Sequence, residues 1–387
     1  WANVPAQPIP PGLRIAAVIL SIAMIAGIAA WLTFDRIYFV GIPFLVLLGF
    51  TGLFVKSIKQ VAKTMDAAGQ GLAILAQVLE VIEKEQFQTP RLKQLREQLN
   101  TDGRPPSWEI ARLSRMMENL RNCLQNQFFA LFGFILCLEV HLVHAIEVWR
   151  EHVGPHIADW LASVSQFEAL SSLAGYTYEH PQDPLPQIVE DFPLLEGKQL
   201  GHPLLPHNVC VRNDIRLDED LRLILVSGSN MSGKSTLLRT IGTNVVLALC
   251  GAPVRAESFQ LSPMQVGTAM RINDSLQDGK SLFYSVVSRL KMVVDLSHQN
   301  RPLLFLLDEI LQGTNSHDRR VGAEGVIRKL VEDGAIGLVT THDLALTEIV
   351  DTLDGRAINC HFEDQLVNGK MSFDYSIRPG VVQKSNA

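Results

Sequence analysis

Two long stretches near the start of the chain carry no charged residue. They run from Ile15 to Phe34 and from Ile37 to Val55, and only Asp35 and Arg36 separate them. A helix needs about 20 apolar residues to cross the hydrocarbon core of a bilayer, whereas a soluble helix normally keeps one polar face. Because neither stretch has a polar face, we expect a hairpin of two transmembrane helices rather than a buried soluble pair.

Basic residues lie at the two outer ends of this hairpin. Arg14 precedes the first stretch, and Lys56, Lys59 and Lys63 follow the second. Loops rich in Lys and Arg stay in the cytoplasm, so both ends are expected there, with the rest of the chain on the cytoplasmic side of a bacterial-type inner membrane. A cleaved signal peptide is disfavoured because the second apolar stretch follows almost at once.

Composition argues against two common kinds of site. The formal net charge is −6, so no general basic surplus draws the chain onto nucleic acid, and any contact with DNA has to be local. The five cysteines include no C-x-x-C pair of the kind that indicates zinc or a redox dithiol. We interpret them as buried thiols in a reducing compartment.

A helical region follows the hairpin. Lys56 to Gln127 has apolar residues at helical spacing and a break at Asp102 to Pro106, which indicates two long helices. Phe128 to Trp149 is apolar but contains two Glu and two His residues, which a lone span tolerates poorly. We expect it to be a buried helix of a soluble bundle without a metal site. Helical spacing continues from Ile157 to Leu173, and prolines between Pro181 and Pro193 indicate a domain boundary.

From Leu221 onward short apolar runs alternate with helical ones. Leu221 to Ser227, Leu303 to Leu307 and Ile336 to Thr341 are predicted to be buried strands. Strands that are separated by helices are typical of a mostly parallel sheet with helices on both faces. We therefore expect an α/β domain in the C-terminal half.

A glycine-rich loop follows the first of these strands. The sequence from Gly228 to Ser235 fits G-x-x-x-x-G-K-[ST], in which backbone N–H groups and a helix N-terminus surround phosphates. Gly228 and Gly233 allow the backbone to curl, Lys234 reaches the outer phosphates, and the Ser235 hydroxyl suits Mg²⁺. An ordinary glycine-rich turn is the alternative, and the strand, loop and helix order argues against it.

Two acids end the second strand, and a histidine follows the third. Asp308 is predicted to hold Mg²⁺ through water, and Glu309 to polarise the attacking water as a general base. His342 follows Thr341 at the same predicted edge of the sheet, where it can hydrogen-bond a terminal phosphate. A capping or core role is the alternative for this histidine. The predicted catalytic residues are Lys234, Glu309 and His342.

Six blocks of sequence, in the same order, resemble the ATPase domain of the MutS family. They are Gly201 to Leu205, Gly228 to Thr236, Ala252 to Ala256, Asp274 to Phe283, Leu307 to Asn315 with Asp318, and Thr341-His342. The resemblance implies an ABC/MutS-like P-loop ATPase that binds ATP and Mg²⁺ and works as a homodimer through its ATPase domains.

The resemblance also implies roles for individual residues. Asn230 and Met231 would belong to the nucleotide-binding loop, and Ser281 would meet the terminal phosphate of ATP bound to the partner subunit. A helix start there would favour an incoming phosphate. The predicted nucleotide-binding residues are Gly228, Ser229, Asn230, Met231, Ser232, Gly233, Lys234, Ser235, Thr236 and, in trans, Ser281, and the predicted Mg²⁺ ligands are Ser235 and Asp308.

The sequence departs from the MutS pattern in its N-terminal half. No Phe has Glu two positions later, so the mismatch-reading motif of the family does not occur in the chain. The arrangement resembles membrane-associated MutS-like proteins that lack the mismatch-reading domain. The predicted domains are two transmembrane helices in residues 1–56, a helical lever region in 57–180 and the MutS-like ATPase domain in 181–387.

Three functions compete at this point. The favoured one is a dimeric, ATP-driven MutS-type switch, with branched or mismatched DNA as a candidate partner in mismatch repair or recombination control. The second is an ABC-type transporter, although no Leu-Ser-Gly-Gly-Gln signature occurs. The third is a membrane-tethered protein that acts on a partner other than DNA.

Overall fold

The computed structural model describes residues 8–100, 103–190, 192–270, 282–311, 316–367 and 370–382. These residues belong to two compact units, Trp1–Ser171 and Ser172–Ala387. The division falls inside a helix, a few residues before the boundary predicted at residue 180. Each unit is described separately below.

The first unit is built from helices. They are α1 (Pro11–Phe34), α2 (Tyr38–Lys84), α3 (Pro90–Glu97), α4 (Pro106–Gln125), α5 (Gln127–Ile135), α6 (Leu138–Val153) and α7 (His156–Glu179), of which α7 continues into the second unit. The core of this unit includes Leu79, Ile110, Ile146 and Trp160, all with at most 1% of their surface exposed.

Helices α1 and α2 form a close hairpin. A Cβ atom built on Gly27 would lie 2.2 Å from the carbonyl oxygen of Phe39, so the two backbones meet where only glycine fits. Helix α1 and the part of α2 from Tyr38 to Lys63 are long and apolar enough to cross a membrane. Helix α2 continues without interruption past residue 56, where the predicted domain boundary falls.

The region after the hairpin contains more helices than expected. The predicted break at Asp102 to Pro106 precedes α4, as expected, but the chain also leaves α2 at Lys84 and begins α3 at Pro90. Proline is tolerated in the first turn of a helix but not in its interior, so Pro90 sets the start of a separate helix. The expectation of two helices was therefore wrong.

The expectation of a single buried helix from Phe128 to Trp149 was also wrong. Two helices, α5 and α6, cover this stretch and are bent by 83° relative to each other. Cys137 lies at the bend in a left-handed conformation, with φ of 49°. Phe128 is 84% exposed, so α5 is not part of a buried core. Among the described residues no group of three or more metal-binding side chains occurs.

The second unit contains two sheets. The smaller has the strand order β1-β5-β2-β3, and the larger has the order β10-β9-β4-β8-β7-β6. The strands are β1 (Gln187–Ile188), β2 (Leu195–Leu200), β3 (Asn213–Leu217), β4 (Leu223–Ser227), β5 (Ser258–Leu261), β6 (Gln265–Ala269), β7 (Leu303–Asp308), β8 (Ile336–Thr341), β9 (Ala357–Val367) and β10 (Lys370–Pro379).

The larger sheet is parallel except for its last strand. Its strands β9, β4, β8, β7 and β6 pair in parallel, and β10 pairs antiparallel with β9. The helices of this unit are α8 (Lys234–Leu249), α9 (Leu282–Ser297), α10 (Ser316–Glu332) and a 3₁₀ helix (Leu344–Thr352). The expectation of a mostly parallel sheet in an α/β domain is confirmed.

Helices cover both faces of this sheet. Ile224 and Val226 of β4 belong to one hydrophobic cluster with residues of α8, whereas Leu223 and Leu225 belong to a second cluster with residues of α9 and α10. Alternate residues of a strand point to opposite faces. All five residues of β4 are buried for this reason, and the strand is an unbroken apolar run rather than an alternating one.

A candidate nucleotide site at the carboxyl edge of the sheet

The predicted site residues follow three adjacent strands of the larger sheet. The glycine-rich loop follows β4, Asp308 ends β7, and His342 follows β8, which lies between β4 and β7. Ligands of open parallel sheets bind at the carboxyl ends of the strands. The parallel order of these strands therefore brings residues that are far apart in sequence to the same edge of the sheet.

The loop after β4 has an unusual backbone conformation. Gly228, Met231 and Gly233 have φ values of 152°, 69° and 108°, a region that side chains disfavour. A Cβ atom on Gly228 would lie 3.0 Å from Ser232 Oγ and 3.2 Å from the carbonyl oxygen of Phe362. Both glycines of the motif are therefore required by the path of the loop, which ends at the N-terminus of α8.

Lys234 is the first residue of α8 and is only 4% exposed. Its ammonium group donates hydrogen bonds to the carbonyl oxygens of Gly228 at 2.7 Å and Ser229 at 2.8 Å. Burial lowers the pKa of Lys234, while the carboxylates of Glu309 and Asp308 act in the opposite direction. The lysine is thus held inside the curl of the loop and faces the acids at the end of β7.

Asp308 and Glu309 are positioned by Thr340 of β8. The Thr340 hydroxyl donates to Asp308 Oδ1 at 2.5 Å. The backbone N–H of Glu309 donates to the Thr340 hydroxyl and to its carbonyl oxygen, both at 3.2 Å. Glu309 itself has a left-handed φ of 48°, which costs energy in a residue other than glycine. One threonine side chain therefore fixes both acids at the end of β7.

Glu309 lies between the lysine and the histidine. Its Oε1 atom is 4.0 Å from Lys234 Nζ and 3.6 Å from His342 Nδ1. Glu309 is only partly buried and His342 is 45% exposed on its side chain. The three residues predicted to be catalytic therefore form one group that solvent can reach.

A cleft of about 480 Å³ adjoins this group. It is lined by seven of the predicted residues, namely Asn230, Met231, Ser232, Gly233, Lys234, Ser235 and Thr236, and by Glu309. Asp308, Gly228, Ser229 and His342 are not among its lining residues, although the contacts above place them next to it. Ser281 lies outside the described residues.

Sequence reasoning missed the other wall of the cleft. That wall includes His202, Val211, Phe362 and Tyr375. The Tyr375 ring lies 3.1 Å from the point where a Cβ atom on Gly233 would be, so the aromatic ring packs against the loop. Burial, followed by the charge of Arg239, lowers the pKa of His202, which favours a neutral imidazole. His202 lies in the first of the six MutS-like blocks, which was a sequence signal for it, whereas nothing in the spacing of Val211, Phe362 and Tyr375 singles them out.

Asn213 of β3 attaches this wall to β10. Its side-chain amide donates to the carbonyl oxygen of Tyr375 at 3.1 Å and accepts from the N–H of Ile377 at 2.8 Å. Tyr375 has a φ of 54° and interrupts the β9–β10 pairing, whose register shifts between Phe373 and Ile377. The local irregularity of β10 therefore directs the Tyr375 ring toward the loop.

The residues of the cleft fit a nucleotide with its phosphates on the loop. Its volume lies within the roughly 300–1,000 Å³ that small-molecule sites occupy. Among the residues that the structure describes, the buried hydroxyls of Ser229 and Ser232 have no hydrogen-bond partner, and buried polar groups are normally satisfied. The loop thus offers polar atoms on one side of the cleft and a mainly apolar and aromatic wall on the other.

The sheet, the glycine loop and the acids at its edge together have the arrangement of an ATPase-like α/β domain. The family description MutS domain V matches residues 224–387. This region of the chain is therefore similar to MutS domain V, and the predicted resemblance to the MutS family is confirmed.

Curated relatives agree with this assignment. The chain is 32% identical over 246 residues to the DNA mismatch repair protein MutS of Lactobacillus delbrueckii subsp. bulgaricus, covering 61% of this chain and 28% of that protein. It is 33% identical over 180 residues to the endonuclease MutS2 of Thermus thermophilus, covering 46% of this chain and 22% of that protein.

A plant relative extends the comparison. The DNA mismatch repair protein MSH6 of Arabidopsis thaliana is 33% identical over 207 residues, covering 50% of this chain and 15% of that protein. The chain spans less than a third of the length of each of these relatives. The shared part includes the C-terminal α/β domain and does not by itself transfer the activity of the whole relatives.

Proposed function

We propose that this chain is a Mg²⁺-dependent ATPase whose hydrolytic cycle drives a dimeric conformational switch of the MutS type. The observation that carries the proposal is the close approach of three side chains beside the glycine loop. Glu309 Oε1 lies 4.0 Å from Lys234 Nζ and 3.6 Å from His342 Nδ1. The match of residues 224–387 to MutS domain V supports the same conclusion.

Each group of the site would have a separate role in ATP hydrolysis. The N–H groups of the loop and the N-terminus of α8 would bind the phosphates, and Lys234 would exchange the carbonyls of Gly228 and Ser229 for phosphate oxygens. Glu309 would accept a proton from the attacking water, and His342 would hydrogen-bond the terminal phosphate. Ser235 and Asp308 would hold Mg²⁺, which neutralises charge on the phosphates.

The remaining wall of the cleft would bind the base. Tyr375 presents an aromatic ring beside the loop, and aromatic rings stack on nucleobases. His202 and Val211 also line the cleft and would contact the base. A preference for ATP over GTP rests on the resemblance to MutS.

The proposal also includes a second copy of the chain, a DNA partner and a membrane anchor. The site would be completed by Ser281 of a second copy, and DNA, branched or mismatched, would be the partner of the switch. Helix α1 and the first part of α2 would anchor the chain to a bacterial inner membrane with the α/β domain in the cytoplasm, which their length and composition support.

The test is ATP hydrolysis by the full chain in vesicles of phosphatidylethanolamine and phosphatidylglycerol. It is measured with no DNA and with duplex, branched and mismatched DNA at about 50 and 200 mM salt, because contacts with phosphates weaken steeply over this range. Lys234→Ala should abolish ATP binding and turnover. The matched control is Lys291→Ala, which removes an exposed lysine of α9.

Each result has a defined meaning. Hydrolysis that DNA stimulates at low salt only, and that Lys234→Ala abolishes, supports the MutS-type switch. Hydrolysis that is indifferent to every DNA contradicts DNA as the partner and favours a membrane-tethered ATPase with another partner. Turnover that survives Lys234→Ala contradicts the proposed site.

A further inference from the structure

Helix α5 exposes a broad apolar face. Its outward residues are Phe128, Phe129, Leu131 and Phe132, which are 84%, 54%, 62% and 62% exposed. At about 100° per residue these four side chains cover nearly half of the circumference of the helix. Soluble proteins rarely leave contiguous apolar patches of this kind uncovered.

The surroundings of α5 in sequence are also uncharged. No charged residue occurs between Arg121 and Glu139. Helix α5 has nine residues, so it is roughly 14 Å long at 1.5 Å per residue, which is less than half of the about 30 Å of a hydrocarbon core. It can enter a bilayer but cannot cross it.

The chain turns back directly after α5. The bend of 83° to α6 follows at Leu136 and Cys137, and α6 carries Glu139, Glu147 and Arg150. Glu147 and Arg150 form a buried ion pair at 2.6 Å. A charged helix of this kind is costly in lipid, so the apolar segment and the charged segment are separated by the bend.

Helix α5 packs beside the predicted membrane hairpin in the same unit. The rings of Phe134 and of Phe44 on α2 lie 5.4 Å apart, and α5 also contacts α1. Phe44 belongs to the part of α2 that is apolar enough to span a membrane. Leu45 and Leu48 of the same part of α2 are also exposed, at 67% and 50%.

We propose that α5 is a third membrane-inserted element, a short re-entrant helix whose phenylalanine face contacts lipid acyl chains in one leaflet. Protein partners are usually recognised through a polar rim with hydrogen bonds, and the exposed face of α5 offers no charged group. Aromatic and aliphatic faces of this type insert at the boundary between headgroups and acyl chains. The inference rests on the proposed anchoring of α1 and α2 in a bilayer.

The test is the membrane depth of spin labels on the full chain in vesicles of phosphatidylethanolamine and phosphatidylglycerol. Labels are attached to Phe128→Cys and Phe132→Cys after replacement of the exposed Cys250 and the partly exposed Cys210 by serine. Accessibility to molecular oxygen, which partitions into lipid, is compared with accessibility to a water-soluble nickel chelate. Far-UV circular dichroism verifies that each variant keeps its helix content.

Two control positions make the outcomes separable. Leu53→Cys lies on α2 and is 75% exposed, and Tyr178→Cys lies on α7 and is 87% exposed. We expect the oxygen to nickel ratio at both α5 positions to match that of Leu53→Cys and to exceed that of Tyr178→Cys several-fold.

Other results overturn the inference in different ways. If the α5 labels behave like Tyr178→Cys while Leu53→Cys remains in lipid, α5 is not inserted but the anchor stands. If Leu53→Cys is also accessible to nickel, the anchor itself fails. If the α5 labels are shielded from both reagents, a second copy of the chain covers the face, and lipid contact is refuted.

Discussion

The two units of this protein place their apolar residues in opposite ways. In the second unit every residue of β4 and of β8 is buried, whereas in α1 only Ala17, Ser21, Met24 and Gly27 are buried out of 24 residues. Apart from Arg14 of α1, none of these three segments carries a charged residue. The difference teaches that an uncharged run forms a buried core in one unit and an outer surface in the other, which agrees with the proposed membrane anchor at α1.

A network of buried polar groups supports the cleft of the second unit. In the second unit a buried arginine, Arg255, has partners on several segments: it donates to Asp183 at 2.9 Å and to the carbonyl oxygen of Leu205 at 3.2 Å. Its own N–H donates to the side chain of Asn244 on α8 at 2.8 Å. This network connects the proline-rich segment after α7 to the wall of the cleft and to the helix that follows the loop.

The largest expected effect comes from breaking this network. Arg255→Ala leaves Asp183 buried without a partner, and removal of one member of a buried pair costs about 3–5 kcal/mol. The measurement is the free energy of unfolding from urea titration, followed by hydrogen exchange in peptides of β2 and β5. Arg320→Ala, which removes the exposed partner of Glu348, serves as the control and should leave the free energy unchanged. An equal effect of both variants would contradict the account.

The next prediction tests whether lipid or water surrounds α1. Ile22 on α1 and Val321 on α10 are 61% and 59% exposed, so lysine at either position would meet solvent. If lipid surrounds α1, Ile22→Lys should cost about 2.5–3.5 kcal/mol of insertion free energy, and Val321→Lys should cost nothing. Resistance of the protein to alkaline extraction from membranes measures the loss. Equal extraction of both variants would mean that water surrounds both helices.

A smaller effect is expected in the cleft of the second unit. Tyr375→Ala removes the ring beside the loop, and base stacking is worth about 1–3 kcal/mol, so the Kd for ATP should rise about tenfold or more. Tyr375→Phe keeps the ring and should bind ATP as the parent does. Equilibrium binding of a fluorescent ATP analogue measures both. An unchanged Kd for Tyr375→Ala would place the base elsewhere.

The smallest effect concerns the positioning of the acids. Thr340→Val removes the hydroxyl that contacts Asp308 and the N–H of Glu309. Loss of a hydrogen bond to a charged group costs about 1.5–3 kcal/mol. Water can replace part of this interaction at the partly exposed edge of the sheet. We therefore expect kcat to fall about tenfold. Thr340→Ser restores the hydroxyl and should recover activity. Failure of serine to rescue would indicate a packing defect instead.

Much of the α/β domain could be predicted from the sequence. The strands β7 and β8 and the glycine loop agree with the structure to within one residue, and β4 begins at Leu223 rather than Leu221. Central parallel strands are continuous apolar runs, so their pattern is unambiguous. The strands of the smaller sheet and the strands β6, β9 and β10 of the larger one were not predicted, because their sequences mix polar and apolar residues.

The rest depended on contacts between distant segments. Thr340 and Tyr375 are ordinary residues in sequence, and only pairing of β8 with β7 and the register shift in β10 bring them to the site. The apolar stretch after Phe128 was interpreted as one helix because the left-handed turn at Cys137 has no glycine or proline to reveal it. The helix propensity of a segment does not specify which solvent its apolar face meets.

The most direct test of the proposed ATPase is the Glu309→Gln variant of the full chain in vesicles, with steady-state hydrolysis and ATP binding measured on the same preparation. The substitution keeps the size of the side chain but removes its basicity, and general bases contribute about 10²–10⁴ in rate. We predict ATP binding equal to that of the parent chain and hydrolysis at least about 100-fold slower. Hydrolysis that continues at the parental rate would contradict the assignment of this edge of the sheet as the catalytic site.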